Sequence, residues 1–323
     1  METLDTEPSH EAAQAILDII APGSHLQGMH PLPGSFSNST YLAEALDAHQ
    51  TRFPFVIRRY AQFGSYDRGE KARREYSTLA LLQAHGVPAP LPLYLDDTGA
   101  ILGTSGIVVS FAPGKQNANP ATPVRWARTL AIMLARIHAI SCEQNERGER
   151  PAECLLDGNS EAIWFAQTEA VPDSLLAHED GPSLWREVHA LRQQLRPVPA
   201  RLLHVDYWPG NILWQGEQIS AVLDWEEAAY GDPGYDVAYG YLHLQLLGLE
   251  HAARTFLEVY EVEAEHRVEN LGFWELAAAA RPMPDPARLI PQYSALGAPP
   301  CTSKVIRERL RQFIATARQH AEL

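Results

Sequence analysis

A polar segment between His204 and Asn211 combines side chains that suit proton transfer and metal binding. Its sequence is HVDYWPGN, which has the form H-x-D-x-x-x-x-N. Phosphoryl-transfer enzymes use this form when an Asp receives a hydroxyl proton and an Asn holds a metal ion. The pattern therefore predicts that Asp206 is a catalytic base and that Asn211 is a metal ligand.

A second carboxylate, Asp224, follows Asp206 by 18 residues and ends the apolar run ISAVL. That run is typical of a strand. The interval leaves room for a loop, a short strand, a turn at 215–217 and a second strand. A carboxylate fixed at a strand end can reach a cation that bridges nucleotide phosphates, so we predict Asp224 as the second metal ligand. The alternative is a hairpin in which Asp206 caps a turn and Asn211 satisfies backbone groups.

Composition limits the class of protein. The chain has 323 residues, of which 46% are hydrophobic and 20% charged, as is ordinary for a globular protein of one large domain or two lobes. The net charge of −14 argues against a nucleic-acid partner, which would need a basic surface. The same charge suits a cationic substrate, although bulk acidity is weak evidence of one.

Cellular location is predicted from cysteines and apolar runs. The three cysteines, Cys142, Cys154 and Cys301, have no metal-binding spacing, which favours a reducing cytoplasm. The acidic N-terminus has no signal-peptide pattern, and no apolar stretch has the length of a membrane helix. We therefore expect a cytoplasmic protein with no membrane partner.

The residues that could do chemistry need elements to position them, and the apolar periodicity changes along the chain. The first third reads as strands with two helices, and the break at Ala112-Pro113-Gly114 precedes a mostly helical remainder. This order predicts an α+β fold with two lobes. We expect an N-terminal nucleotide-binding lobe over 1–111 and a C-terminal catalytic and acceptor-binding lobe over 112–323. The predicted helices are 9–20, 70–85, 124–140 and 184–195. The segment 32–45 is predicted to be a turn that leads into a strand, and further strands are predicted at 53–59, 91–95 and 107–111.

From about Leu32 to about Leu247 the chain resembles the aminoglycoside phosphotransferase family, a group of small-molecule relatives of the protein kinases. The strongest match runs from His204-Val205-Asp206 to Gly231-Asp232-Pro233-Gly234-Tyr235-Asp236. It is similar to the family's catalytic loop, metal-binding Asp and G-D-P-x-x-D. Glycine is more usual at the position of Val205, where a β-branched residue fits if its φ is negative.

The resemblance implies a protein-kinase-like fold whose N-terminal lobe is an antiparallel sheet with a helix. It implies that Arg58 contacts nucleotide phosphates and that Glu75, on a helix, is its ion-pair partner. Arg59 is its neighbour, and strand alternation sends only one of the two arginines inward. A surface role is the alternative for both Arg58 and Glu75.

Further nucleotide contacts are implied for two segments of the first lobe. The loop Gly34-Ser35-Phe36-Ser37-Asn38 takes the position of a phosphate cover, in which Ser35, Ser37 and Asn38 replace glycine amides. With one glycine the loop also reads as a plain hairpin turn. Ser110 and Ala112 are expected to line the adenine edge.

Four other polar residues have expected supporting roles. Glu226 lies two residues after Asp224, so an extended segment would point both carboxylates to one side. Glu226 then assists the metal or faces the acceptor, and the alternative is a solvated carboxylate. His204 is expected to brace the catalytic loop, Asp236 to accept backbone N–H bonds, and Asp232 to cap the following helix.

These patterns predict a small-molecule kinase that moves the γ-phosphoryl group of ATP (or GTP) to a hydroxyl acceptor with Mg²⁺. A choline, homoserine or sugar kinase would use the same residues. A non-catalytic nucleotide-binding module is the alternative from another class. A metal hydrolase that uses His204, Asp206 and Asp224 is a third possibility. The sequence determines neither the acceptor nor the oligomeric state.

Overall fold

The computed structural model describes residues 7–32, 38–47, 49–61 and 67–322, and the chain forms two compact units. The first unit contains the chain up to Pro113 together with Ala152–Leu155 and Ala221–Glu227. The second unit contains Gly114–Pro151, Leu156–Ser220 and Ala228–Leu323. A short piece that includes Asp224 therefore belongs to the first unit, although it follows the catalytic-loop motif in the sequence.

The first unit is built on a five-stranded antiparallel sheet with the strand order β1-β2-β3-β5-β4. The central strand β3 pairs with β2 from Asn38↔Tyr60 to Leu46↔Arg52. The elements of this part are α1 (His10–Ile20), β1 (His25–Pro31), β2 (Asn38–Leu46), β3 (Arg52–Tyr60), α2 (Arg68–Ala84), β4 (Pro92–Asp96) and β5 (Gly106–Ser110).

One face of this sheet is covered by α1. Ser9 caps the helix by accepting a hydrogen bond from the Ala12 amide, as short hydroxyl side chains commonly do. Ala13, Ile16 and Leu17 of α1 are fully buried in a cluster with side chains of the sheet. This apolar packing provides the main stabilisation of the helix–sheet layer.

Helix α2 brings polar side chains into the first unit. Asp67 caps its start by accepting from the Glu70 amide, and the chain leaves the helix at His85 and Gly86, whose φ is 65°. Glycine adopts that conformation at low cost. The buried face of α2 includes Arg74 and Glu75 besides apolar residues.

The remaining elements are mostly helices. The structure has 3₁₀ turns at Trp164–Gln167, Arg192–Gln194, Pro209–Asn211, Trp225–Glu227 and Pro286–Leu289. Its regular elements after β5 are α3 (Pro123–His138), β6 (Leu156–Asp157), α4 (Gly158–Glu161), α5 (Asp173–Leu176), α6 (Gly181–Leu191), β7 (Arg201–Leu203), β8 (Ile212–Gln215), β9 (Gln218–Val222), β10 (Ala229–Gly231), α7 (Gly234–Leu246), α8 (Glu250–Glu263), α9 (Leu271–Ala280), α10 (Ile290–Ala295) and α11 (Ser303–His320).

The core of the second unit surrounds α7. Nearly every residue of this helix is buried, as expected for a helix inside a large core. Helices α8, α9 and α11 pack against it, and α3 packs against α8. The start of α7 follows directly from the G-D-P-x-x-D segment, so the core fixes the position of that motif.

The strands after β5 are short, and two of them flank the loop that carries the His204 to Asn211 motif. One sheet has the order β6-β10-β7, and β8 pairs with β9. The loop from His204 to Asn211 connects β7 to β8. None of the helices in the described part of the chain has the length and hydropathy that a membrane span requires.

Candidate active site

In the first unit, the Arg58 side chain contacts three carboxylates. Arg58 Nη2 lies 2.5 Å from Asp224 Oδ1 and 3.4 Å from Glu226 Oε2. Its Nε lies 3.4 Å from Glu75 Oε2. The structure therefore brings together Arg58, Glu75 and Asp224, three residues that the sequence predicted for nucleotide and metal binding.

The segment that carries Asp224 is held next to α2 by hydrogen bonds. Arg74 Nη1 donates to the Glu226 carbonyl oxygen at 2.7 Å, and Arg74 Nε donates to the carbonyl oxygen of Cys154. Trp225 is fully buried and its indole N–H donates to the Val222 carbonyl. Asp224 itself has a φ of 68°, a left-handed conformation that Asp adopts more readily than most residues. These contacts hold its carboxylate next to Arg58.

Burial dominates the electrostatics of Glu75. Desolvation raises the pKa of Glu75 to about 7, with the Arg58 cation opposing the shift and the Asp224 and Glu226 charges adding to it. The Tyr60 hydroxyl donates to the same carboxylate. For Arg58, burial favours the neutral form, yet the facing carboxylates raise its pKa well above the ordinary value. Arg58 is thus a permanent cation in this cluster.

Glu226 is almost fully buried, at 6% exposure, so the solvated-carboxylate alternative is wrong. Lys71 Nζ lies 2.9 Å from Glu226 Oε1, and the Asn38 amide donates to Oε2. These donors tie Glu226 to α2 and β2 within the first unit. Lys71 was not expected from the sequence, and the signal that could have found it is its position one helical turn before Glu75.

Ser110 and Ala112, the two residues expected at the adenine edge, lie at the end of β5 and just after it. Ser110, at the end of β5, exchanges hydrogen bonds with Leu91, accepting through its hydroxyl and donating from its backbone amide. Ala112 is half-buried in the segment that follows. Arg59 is buried, and this burial lowers its pKa, whereas the interaction with Tyr41 raises it. Ser35 and Ser37 lie outside the described residues.

In the second unit, Asn211 holds Asp206. The Asn211 Nδ2 group donates to both the backbone oxygen and the Oδ2 atom of Asp206, each at 2.9 Å. The 3₁₀ turn Pro209–Asn211 makes this reach possible. Because the amide nitrogen faces Asp206, the side-chain oxygen of Asn211 is the atom that fits a hard cation such as Mg²⁺.

The backbone of the loop from His204 to Asn211 has an unusual conformation at Val205. Its φ is 69°, so the negative φ at which a β-branched residue would fit here is not the one that it adopts. Asp236 accepts from the amides of His204 and Val205 at 2.6 and 2.8 Å. His138 Nε2 lies 3.2 Å from the same carboxylate. A buried carboxylate therefore holds the loop in a conformation that the sequence alone disfavours.

His204 and Asp232 occupy supporting positions in this unit. The His204 ring is fully buried, and its Nδ1 accepts from the Asp206 amide at 3.3 Å. Asp232 accepts from the Gly234 amide at the start of α7 and from the Trp274 indole. Burial raises the pKa of Asp232, while the donors Asn270, Gly234 and Trp274 oppose that shift. His204 thus holds the backbone at Asp206, whereas Asp232 caps the start of α7 and binds the Trp274 side chain.

Arg281 is a second residue that the sequence did not single out. Its Nη2 lies 3.7 Å from Asp206 Oδ1. It follows α9 in a region with no recognisable motif, so no sequence signal pointed to it. The half-buried Trp208 packs on His243 and Tyr293 in the same unit, whereas Trp214 and Trp225 are core residues.

The chemistry of this site follows from its donor set. In the described part of the chain, no group of three or more His, Cys, Asp or Glu side chains is arranged to hold a metal ion. The histidine near Asp206 is engaged with the backbone. The side-chain oxygen of Asn211 in the second unit and the carboxylate of Asp224 in the first unit are each hard oxygen donors, the kind that Mg²⁺ prefers.

The amino-acid sequence is similar to a known protein family and to several curated proteins. The sequence model of a group described as "Phosphotransferase enzyme family" matches residues 28–271. Acyl-CoA dehydrogenase family member 10 of Mus musculus is 27% identical over 215 residues, which are 64% of this chain and 19% of that protein. A homoserine kinase of Mesorhizobium japonicum is 29% identical over 161 residues, 47% of each chain. The chain therefore spans less than half the length of these curated relatives.

Solved structures show the same fold. The macrolide 2'-phosphotransferase of Brachybacterium faecium has a TM-score of 0.58 and 21% identity, with 90% of this chain and 99% of that chain covered. An aminoglycoside phosphotransferase in ternary complex with ADP and hygromycin B also has a TM-score of 0.58, at 14% identity, with 94% and 97% covered. The expected protein-kinase-like α+β fold, with a sheet-rich N-terminal part and a helical remainder, is confirmed.

Proposed function

This chain belongs to the phosphotransferase enzyme family, and from that premise we propose that it moves the γ-phosphoryl group of a nucleoside triphosphate to a hydroxyl group of a small molecule. The observation that carries the proposal is the contact of Arg58 with both Glu75 and Asp224. A cation held by a helix carboxylate, beside a carboxylate that suits a metal ion, is the arrangement that phosphoryl transfer requires.

The buried cluster of the first unit is proposed to bind the phosphates. The Arg58 guanidinium can grip phosphate oxygens in pairs, and Glu75 keeps it in place at 3.4 Å. Asp224 and Asn211 are the proposed Mg²⁺ ligands. Mg²⁺ bound there would neutralise charge that develops on the transferred group. Because Arg58 already contacts Asp224, nucleotide binding is proposed to redistribute the contacts of this cation.

Asp206 is the proposed base. Asn211 fixes one of its carboxylate oxygens, and this restraint supports a role in orienting the acceptor hydroxyl and taking its proton. The transition state of phosphoryl transfer is loose, so alignment of the hydroxyl matters more than early deprotonation. His204 is proposed to brace the loop, because its Nδ1 atom is engaged with the Asp206 amide.

The nucleotide is proposed to be ATP, with GTP as the alternative. Ser110 and Ala112 are the proposed adenine-edge residues, and the loop with Ser35, Ser37 and Asn38 the proposed phosphate cover. The relatives support a small-molecule acceptor, since one is named a homoserine kinase and one structure contains hygromycin B. The proposed acceptor is an aminoglycoside or a choline-, homoserine- or sugar-type metabolite. The proposed location of the protein is the cytoplasm.

The test is an ATP-consumption screen of the purified chain with Mg²⁺ across aminoglycosides, macrolides, amino alcohols and sugars, followed by Asp206→Asn. This variant should keep its nucleotide affinity and lose about 10²–10⁴-fold in transfer rate, the usual value of a positioned base. Asp173→Asn, at an exposed aspartate of the second unit, is the control and should keep full activity.

Two results would contradict the proposal. Unchanged turnover in Asp206→Asn would remove that residue from its role. A wild-type chain that binds ATP and Mg²⁺ but transfers phosphate to no acceptor, and hydrolyses none, would instead be a nucleotide-binding module.

A further inference from the structure

Val205 has an unfavourable backbone conformation at a critical point of the chain. Its φ is 69° and the residue is 3% exposed. A buried β-branched residue in the left-handed region is a genuine outlier, because its Cβ crowds the backbone. The strained peptide directly precedes Asp206, so the direction of the Asp206 side chain depends on what holds Val205 in place.

Both polar groups of the Val205 backbone are held by charged side chains. The amide donates to Asp236 Oδ1 at 2.8 Å, and the carbonyl oxygen accepts from Arg281 Nη1 at 3.0 Å. Asp236 belongs to the G-D-P-x-x-D segment. Arg281 lies beyond residue 271, where the family match ends. Asp236 and Arg281 together form a clamp on the Val205 peptide. The G-D-P-x-x-D pattern accounts for Asp236, whereas Arg281 directly follows α9.

Several contacts fix the Arg281 guanidinium itself. Nη1 also donates to the Tyr235 hydroxyl at 2.9 Å, and the guanidinium carbon lies 4.8 Å from the centre of the Tyr239 ring. Nη2 lies 3.7 Å from Asp206 Oδ1. A planar fork can reach the Val205 carbonyl and the Asp206 carboxylate at the same time, whereas the point charge of a lysine cannot.

We propose that Arg281 is a positioning residue for the reaction: it holds the Val205 peptide in the left-handed conformation and thereby keeps Asp206 directed at the acceptor hydroxyl. The proposal rests on the proposed role of Asp206 as the base. In this proposal Arg281 acts through its contacts with Val205 and Asp206, and not by binding the nucleotide or the acceptor.

The kinetic test compares Arg281→Ala, Arg281→Lys and the control Arg311→Ala, which removes an exposed arginine of the same unit. Arg281→Ala should lower kcat about 10²-fold, because small displacements of a catalytic group have effects of that size. The nucleotide Kd and the acceptor KM should change little. Arg281→Lys should recover part of kcat, and Arg311→Ala should match the wild type.

A double-mutant cycle with Val205→Gly separates positioning from general stability. Glycine adopts a positive φ without strain, so the loop should need Arg281 less. The factor by which Arg281→Ala lowers kcat should therefore be at least about fivefold smaller in the Val205→Gly background than in the wild-type background. Equal losses in both backgrounds, or a loss expressed in KM and nucleotide affinity with kcat preserved, would overturn the proposal.

Hydrogen exchange provides a measurement that needs no turnover. In Arg281→Ala the backbone amides of 204–206 should exchange faster than in the wild type, while Arg311→Ala leaves them unchanged. If the wild type shows no phosphoryl transfer, the proposed function is wrong. The exchange rates of the 204–206 amides in Arg281→Ala still test the clamp in that case. Unchanged exchange at 204–206 in Arg281→Ala would overturn the clamp even in an active enzyme.

Discussion

Glu75 shows how burial sets the charge of a single side chain in the first unit. The residue is 2% exposed, and its carboxylate faces Arg58 on one side and the Tyr60 hydroxyl on another. Burial makes ionisation of this carboxylate costly, and the Asp224 and Glu226 charges add to that cost, whereas Arg58 opposes it. The pKa of Glu75 is raised as the net result.

The raised pKa predicts a pH-dependent stability. Between its unfolded pKa of 4.5 and its folded pKa of about 7, the folded chain keeps a proton that the unfolded chain has released. The contribution of Glu75 to the free energy of unfolding is therefore greatest below 4.5, falls as the pH rises towards 7, and is constant above that. Glu75→Gln should flatten this fall.

Urea unfolding at pH 5 and pH 8, without nucleotide or Mg²⁺, measures the effect. Glu70→Gln, an exposed position on the same helix, is the matched control and should keep the wild-type pH dependence. A difference between pH 5 and pH 8 that is the same in Glu75→Gln as in the wild type would contradict the raised pKa.

At the scale of elements, the pairing of β3 with β5 positions Arg58. Gly106 starts β5, and a Cβ there would lie 2.4 Å from the Arg58 carbonyl oxygen and 2.8 Å from Leu102 Cδ1. No side chain fits that space without moving the strand. The absence of a side chain at Gly106 thus lets β5 approach the residue that carries the cation.

Gly106→Ala should therefore lower the free energy of unfolding by about 1–3 kcal/mol, as overpacking usually does, and weaken nucleotide binding by displacing Arg58. Gly28→Ala on β1 is the control, because its nearest heavy atom would be 3.8 Å away. That change should stay within about 0.5 kcal/mol. Chemical denaturation and nucleotide titration measure both effects, and equal stability of the two variants would refute the packing argument.

The sequence predicted some elements better than others. The helix expected over 9–20 is α1, and the one over 70–85 is α2, because their caps and apolar spacing are local signals. Strand β1 was missed, since its residues are mostly exposed or half-buried and show no apolar alternation. It exists through its pairing with β2, which local sequence does not report.

At the scale of the whole molecule, the last helix is part of the core of the second unit. Helix α11 packs against α9 and α7, and it begins after the family match has ended. Its buried residues are Ile306, Leu310, Phe313, Ile314 and Ala317. Arg309 adds a hydrogen bond to the Leu246 carbonyl at the end of α7.

Truncation after Cys301 should prevent stable folding of the second unit. Each large buried apolar side chain contributes about 1.5–3 kcal/mol, and the helix carries four, so the loss is comparable with the whole stability of an ordinary domain, roughly 5–15 kcal/mol. Removal of 322–323 alone is the control and should leave thermal unfolding unchanged. A cooperative unfolding transition of wild-type size in the truncated chain would contradict this expectation.

The sequence by itself determined which residues are proposed to carry the chemistry and in what order the elements follow. The spacing of Asp206, Asn211 and Asp224 and the change from strand to helix periodicity are local properties, so they can be read along the chain. Only the tertiary structure decided that Asn38 and Lys71 hold Glu226, that Val205 is left-handed, and that Arg281 lies beside Asp206. Such contacts join residues far apart in sequence and depend on packing, which can also impose backbone conformations that local preferences oppose.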